Sequence, residues 1–366
     1  MKVKLNELYD IGSSKRVFQS EWRESGVPFY RAREIAKLSE DGFVDNELFI
    51  DEELYSEYVE KYGKPESGDV MVTGVGTLGV CYVVKPKDRF YFKDGNILWF
   101  RQKAKDKILP EYLVKAFDSK EVKDFINKNS SGTTVGTFTI QTAKMMEISL
   151  PSLDEQKEII DKVTRTELII KQRKQELQLL DNLIKARFVE MFGDPIRNTQ
   201  NRPTTEFINV VRMQRGFDLP VQDRQQDGRI PVYGSNGALD HHNVAKIQGG
   251  GVITGRSGTI GKVFYTEGDY WPLNTSLFSV DTHGNNVIYL AYLLYLFNLT
   301  RFVEGTGVPT LNRNMFHNKQ IINVPIEEQN QFADFVHQVD KSKVVVQKAL
   351  DETQLLFDSL MQKYFG

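Results

Sequence analysis

Between Asp154 and Met191 the chain has neither glycine nor proline, and Val163, Ile170, Leu177, Ile184 and Met191 recur every seven residues. An apolar seam of that period marks a long helix that pairs with another helix. Eight acidic and eight basic side chains occupy its other positions, as a solvated surface requires. At the α-helical rise such a segment spans roughly 57 Å. A second seam runs through Phe332, Val336, Val339, Val346, Leu350, Phe357, Leu360 and Tyr364 in steps of three and four, interrupted at Lys343 and Thr353. Two such helices in one chain most simply pair with each other, antiparallel if the halves are related by a pseudo-twofold axis.

The two helices are copies. At an offset of 173 residues Glu155-Gln156 falls on Glu328-Gln329, Asp161 on Asp334, Val163 on Val336, Leu177 on Leu350 and Leu183 on Leu356. Phe192-Gly193 falls on Phe365-Gly366, and the register holds without a gap. Upstream the likeness continues with gaps. "GVPFYRA" from Gly26 is similar to "RIPVYGS" from Arg229, and "GDVMVTGVGTLGVCYV" from Gly68 to "GGVITGRSGTIGKVFY" from Gly250. "GTTVGTF" from Gly132 answers "GTGVPTL" from Gly305. Each half therefore has a Pro-Tyr strand, a glycine-punctuated hairpin, a helix, a Gly-Thr loop, and a proline before the long helix.

Helix boundaries follow from the same reading. Ser152 stands three residues before Glu155, the spacing of a capping box, and "GDP" at Gly193–Pro195 stops the first long helix. The chain divides into a domain over residues 1–150, a spacer helix over 151–193, a domain over 194–324 and a spacer helix over 325–366. The fold class is α+β: two β-rich domains joined by two long antiparallel coiled-coil helices in a pseudo-twofold internal repeat.

Composition narrows the function. The chain has 366 residues, 40% of them apolar, and one cysteine, Cys81. A disulfide framework is excluded and a reducing cytoplasm fits. No run of 18 apolar residues exists, so no membrane span is expected. Net charge is -2, but its distribution is uneven. Residues 202–324 carry 11 basic and 9 acidic side chains, whereas nine acidic residues crowd between Glu40 and Glu60 with no lysine or arginine. Outside that stretch the first domain is basic, notably at "RQKAKDK" from Arg101 and "RAR" from Arg31.

Several motifs suggest chemistry that their context denies. "GVGTLG" at Gly74–Gly79 has the letters of a dinucleotide fingerprint, but the β-rich "VCYVVKP" follows where a helix is needed. A hairpin turn is expected there. "GRSGTIGKV" lacks the first glycine and the hydroxyl of a phosphate-binding loop. His241-His242 has no third metal ligand at suitable spacing. An amino-methyltransferase Asp/Asn-Pro-Pro-aromatic motif, a G-x-S-x-G and an H-E-x-x-H are all absent from the sequence.

The paired hairpins, the Gly-Thr loops, "LPSLDEQKEIIDKV" with "MFGDP", and "VPIEEQNQFADFV" resemble the specificity subunit of type I restriction-modification systems over nearly the whole chain. The resemblance implies that each β-rich domain is a target-recognition domain reading one half of a bipartite double-stranded DNA site. It implies helices that act as spacer and as dock for two methyltransferase subunits, with restriction (translocase-nuclease) subunits as further partners. It places catalysis in those partners, which would use S-adenosylmethionine, ATP and magnesium, and implies no cofactor, metal or catalytic residue in this chain.

Polar side chains beside glycine-rich turns are the candidates for DNA contact, because guanidinium and amide forks match base edges and phosphates. They are Arg31, Arg33, Thr73 and Thr77 in the first domain, and Arg215, Ser235, Asn236, Arg256, Ser257, Asn312 and Arg313 in the second. Two other readings remain open from the residues: a duplicated protein- or glycan-binding scaffold, and a nuclease fused to recognition domains. Loss of binding with rising salt separates the first from a nucleic-acid role, and metal-dependent cleavage by the chain alone marks the second.

Overall fold

A computed structural model describes residues 2–130, 136–304 and 309–366. The chain forms two compact units, Met1–Gln172 with Leu350–Gly366, and Arg173–Ala349.

In the first unit a four-stranded antiparallel sheet runs in the order Tyr9–Gly12, Ile97–Gln102, Val70–Thr73, Cys81–Val83. A smaller sheet has Val27–Tyr30 between Phe49–Ile50 and Tyr91–Phe92, the last pairing being parallel. Lys2–Lys4 pairs with Glu147–Ser149 and ties the start of the unit to its end. Val70, Val72, Leu98 and Phe100 bury one sheet face against the helix Pro110–Asp118 through Tyr112, Leu113 and Phe117.

The second unit repeats this order strand for strand. Its main sheet is Arg212–Arg215, Ser276–Asp281, Gly251–Gly255, Val263–Thr266. Its smaller sheet has Ile230–Gly234 between Gly237–His242 and Trp271–Pro272, again with the last pairing parallel. Thr204–Glu206 pairs with Gln320–Ile322, and the helix Val287–Phe297 covers the sheet. The sequence repeat is thus a repeat of topology. The units differ in what fills the intervals. The first inserts helix Ala32–Asp41, whose Ile35 and Leu38 pack with Met71, Tyr82 and Trp99 of the main sheet, helix Glu52–Tyr62 beside its smaller sheet, and Lys120–Asn129 after its core helix. The second uses the hairpin strand Gly237–His242 and the short pair Val303–Glu304 and Thr310–Leu311.

The long helices run over Leu153–Phe192 and Ile326–Phe365. The capping box forms as its spacing required: Ser152 N–H donates to Glu155 Oε2 at 2.9 Å, and Glu155 N–H to Ser152 Oγ at 3.4 Å. Each helix is divided between the units, because its seam enters both cores. Ile159 and Val163 join Met361 and Phe365 in the first core, whereas Phe188 and Phe192 join Phe332 and Val336 in the second. The beginning of one helix thus shares a core with the end of the other in each unit, which makes the pair antiparallel. The repeated Phe-Gly ending has a packing cause. Phe365 meets the core-helix ring of Tyr112, and Phe192 meets that of Tyr289, each with centroids 5.2 Å apart.

Candidate nucleic-acid interface

Both glycine motifs are hairpin turns. Gly74–Gly79 lies between Val70–Thr73 and Cys81–Val83, with Gly76 and Gly79 at φ 72° and 77°. Its counterpart places Gly258 and Gly261 at φ 78° and 89°. These left-handed values favour glycine, and a strand follows each turn, so a dinucleotide site is excluded. Of the Gly-Thr loops, residues 132–135 and 305–308 lie outside the described part. The ends of both loops are tied to the hairpins in the same manner. Phe138 N–H donates to Gly74 O at 2.9 Å, and Leu311 N–H donates to Arg256 O at 2.8 Å.

In the first unit this arrangement leaves a cleft of about 550 Å³ lined by Arg31, Arg33, Lys37, Glu40, Thr77 and Asn96, among others. Three of the four candidates are brought together there. Thr73 is not. It is 1% exposed, its hydroxyl donates to Thr77 O, and it accepts from Val80 N–H at 3.0 Å. Thr73 shapes the turn from within; in the second hairpin the neighbouring register position, Thr254 in the place of Val72, does the same, its hydroxyl donating to Lys262 O at 2.8 Å. A β-branched residue on an inward strand position is the reason: both hydroxyls face the turn rather than solvent.

The two arginines of "RAR" are engaged by carboxylates. Arg31 precedes the helix Ala32–Asp41 and grips Glu34 with Nε at 3.1 Å and Nη2 at 2.8 Å, while its backbone N–H donates at 2.9 Å. Arg33 Nε donates to Glu34 at 2.9 Å and its Nη2 to Glu47 at 2.8 Å. Glu34 is 2% exposed. Burial pushes its carboxyl up, but the hydrogen bonds from Arg31 and Arg33 outweigh burial and hold it below the usual range. The hydrogen bond from Arg33 likewise lowers Glu47. Lys37 was not among the sequence candidates. Its signal is helical spacing, since it stands one turn beyond Arg33 and so on the same face.

The second unit has a cleft of about 480 Å³ lined by Arg215, Arg256, Asn312 and Arg313 together with Leu277, Leu311, Glu304 and Thr310, among others. Among the described residues no hydrogen bond or ion pair engages the guanidinium of Arg215, Arg256 or Arg313. Asn312 caps a short turn by accepting from Asn314 N–H at 3.1 Å. Ser235 and Asn236 form the two-residue tip between Ile230–Gly234 and Gly237–His242. They stand beside the cleft rather than in its lining: a Cβ on Gly255 would meet Ser235 O at 2.8 Å. Asn236 accepts from Lys262 Nζ at 2.8 Å, and Ser257 bridges to Thr310. All seven candidates therefore surround one hairpin. Chemically the second cleft sets three guanidiniums, with no partner among the described residues, beside one carboxylate, an arrangement suited to phosphates and to base-edge acceptors. Among the described residues no cluster of three metal-ligating side chains occurs, and His241 and His242 lie on a strand. No helix among the described residues is long and apolar enough to cross a membrane.

The sequence matches the family profile described as "Type I restriction modification DNA specificity domain" twice, over residues 1–179 and 198–353. It is 31% identical over 170 residues to a Haemophilus influenzae protein described as a type I restriction enzyme specificity subunit, S.HindORF215P, covering 45% of this chain and 40% of that protein. It is 26% identical over 137 residues to the type I restriction enzyme MjaIX specificity subunit of Methanocaldococcus jannaschii, covering 36% of this chain and 30% of that one. The matched stretches thus span less than half the length of these curated relatives. In fold the chain is similar to the crystal structure of a type I restriction-modification S subunit from M. genitalium, with a TM-score of 0.62 at 14% identity and coverage of 100% and 96%. It is equally similar to a chain solved in work on complex assembly and conformational transition of the type I R-M system, with a TM-score of 0.63 at 17% identity and coverage of 100% and 97%.

Proposed function

We propose that this chain, which belongs to the type I restriction modification DNA specificity family, is the subunit that gives a restriction-modification complex its DNA sequence. Each unit reads one half of a bipartite duplex site through the cleft beside its glycine hairpin. The observation that carries the reading is the second cleft. Three guanidiniums that have no hydrogen bond or ion pair among the described residues converge at the place where the repeat puts a second arginine-lined cleft in the other unit. Phosphate contacts position such a domain, and forks to base edges select sequence.

The two units share topology and little side-chain identity, so the two half-sites differ. The long helices carry exposed apolar side chains, among them Leu168, Leu179, Val344 and Leu355, and serve as the dock for two methyltransferase subunits. Methyl transfer from S-adenosylmethionine to adenine belongs to those partners. ATP- and magnesium-dependent translocation and cleavage belong to restriction subunits where these join.

The test is a salt series of duplex binding by the chain with its methyltransferase. The reading expects log affinity to fall linearly with log salt and one split-site duplex to outcompete mixed sequence. Binding that ignores salt, or that treats all duplexes alike, contradicts it.

A further inference from the structure

The two clefts differ in a way that their shared topology does not require. Among the described residues the second cleft's guanidiniums have no hydrogen-bond or ion-pair partner, whereas Arg31 and Arg33 are held by carboxylates. Their two carboxylates are unlike each other. Glu34 is buried, completes a capping box and accepts three hydrogen bonds from Arg31 and one from Arg33. Releasing it would strand a buried charge. Glu47 has a side chain 72% exposed, takes one hydrogen bond from Arg33 Nη2 at 2.8 Å, and stands 4.0 Å from Arg31. It lies on the irregular stretch before Phe49–Ile50, whose backbone is pinned next door by Phe29 N–H donating to Leu48 O at 2.9 Å. Its departure needs only a side-chain rotation.

We propose that Glu47 is a resident competitor for DNA phosphate. It holds the outer arm of Arg33 in the free protein and gives it up when a phosphate arrives, while Glu34 keeps Arg33 Nε and so keeps the guanidinium aimed. Arg31 is then a positioning residue bound to Glu34, and Arg33 is the residue of the pair that reaches DNA. Glu40, which also lines the cleft, opposes an approaching phosphate whether or not Glu47 has moved. The first unit therefore engages DNA by exchange and the second by direct contact. This rests on the DNA reading given above.

The experiment is a double-mutant cycle of Glu47→Gln and Arg33→Ala in the full chain with its methyltransferase, read by binding to a labelled mixed-sequence duplex at low and high salt. Removing an exposed ionic competitor tightens binding roughly two- to fivefold at low salt, and the gain shrinks as salt screens it. In the Arg33→Ala background E47Q gives no comparable gain. An undiminished gain in that background makes Glu47 a mere background charge and overturns the proposal. Unchanged binding by E47Q, with the wild type binding duplex normally, overturns the proposal and leaves the DNA reading standing. No duplex binding by the wild-type complex overturns both.

Discussion

Gln156 and Gln329 perform the same task 173 positions apart. Gln156 Oε1 accepts from Leu109 N–H at 2.9 Å, and its Nε2 donates to Lys107 O at 2.7 Å and Pro151 O at 2.9 Å. Gln329 Oε1 accepts from Asn286 N–H at 2.9 Å, and its Nε2 donates to Asn285 Oδ1 at 2.7 Å and Val324 O at 2.8 Å. Leu109 and Asn286 are the N-caps of the two core helices. Each glutamine is fully buried and fastens the start of a long helix to the helix that covers the sheet. Replacing either by alanine strands a buried backbone donor and two acceptors, at a cost of about 1–3 kcal/mol. Denaturant titration of each variant checks this, with a similar loss expected from both.

Acidification should weaken the second unit through His317. Its Nε2 accepts from Met213 N–H at 3.2 Å. Burial, then the nearby Arg313 and Arg212, push its pKa below the ordinary 6.5. A depressed base is protonated more readily in the unfolded chain, so its stabilisation is complete above pH 6.5 and is lost as pH falls below that value toward the folded pKa. Thermal melts between pH 7.5 and 5 should show the decline, and His317→Gln should flatten that part of the profile.

Arg256→Ala and Arg313→Ala should each lower duplex affinity and reduce the slope of log affinity against log salt by about one. Thr73→Val should instead leave the slope unchanged and lower the melting temperature, because its hydroxyl bonds lie inside the hairpin. A salt series on the three variants distinguishes the roles.

Much of this architecture is legible in the residues, for identifiable reasons. Heptad spacing at Val163, Ile170 and Ile184 specifies a long helix because side chains one seam apart must face one partner. The glycines of both hairpins specify turns because they hold φ values that other residues resist. The division of each long helix between two cores is not legible, since the seam through Val163 and Ile184 runs on without a break although Val163 enters one core and Ile184 the other. Nor is the fate of Arg31 and Arg33. Glu34 is close in sequence, but its burial and the approach of Glu47 depend on how the helix Ala32–Asp41 docks. Thr73 failed as a candidate for a related reason: a hydroxyl beside a glycine turn serves DNA or the turn according to which way the strand faces.

The most direct measurement is a genome-wide map of adenine methylation in cells expressing this chain with its methyltransferase, beside cells carrying the Arg256→Ala, Arg313→Ala variant. The account predicts a split motif that appears only with this chain, one half of which loses definition in the variant while the other half is kept. A folded, methyltransferase-bound chain that yields no split motif, or a variant that degrades both halves equally, would contradict it.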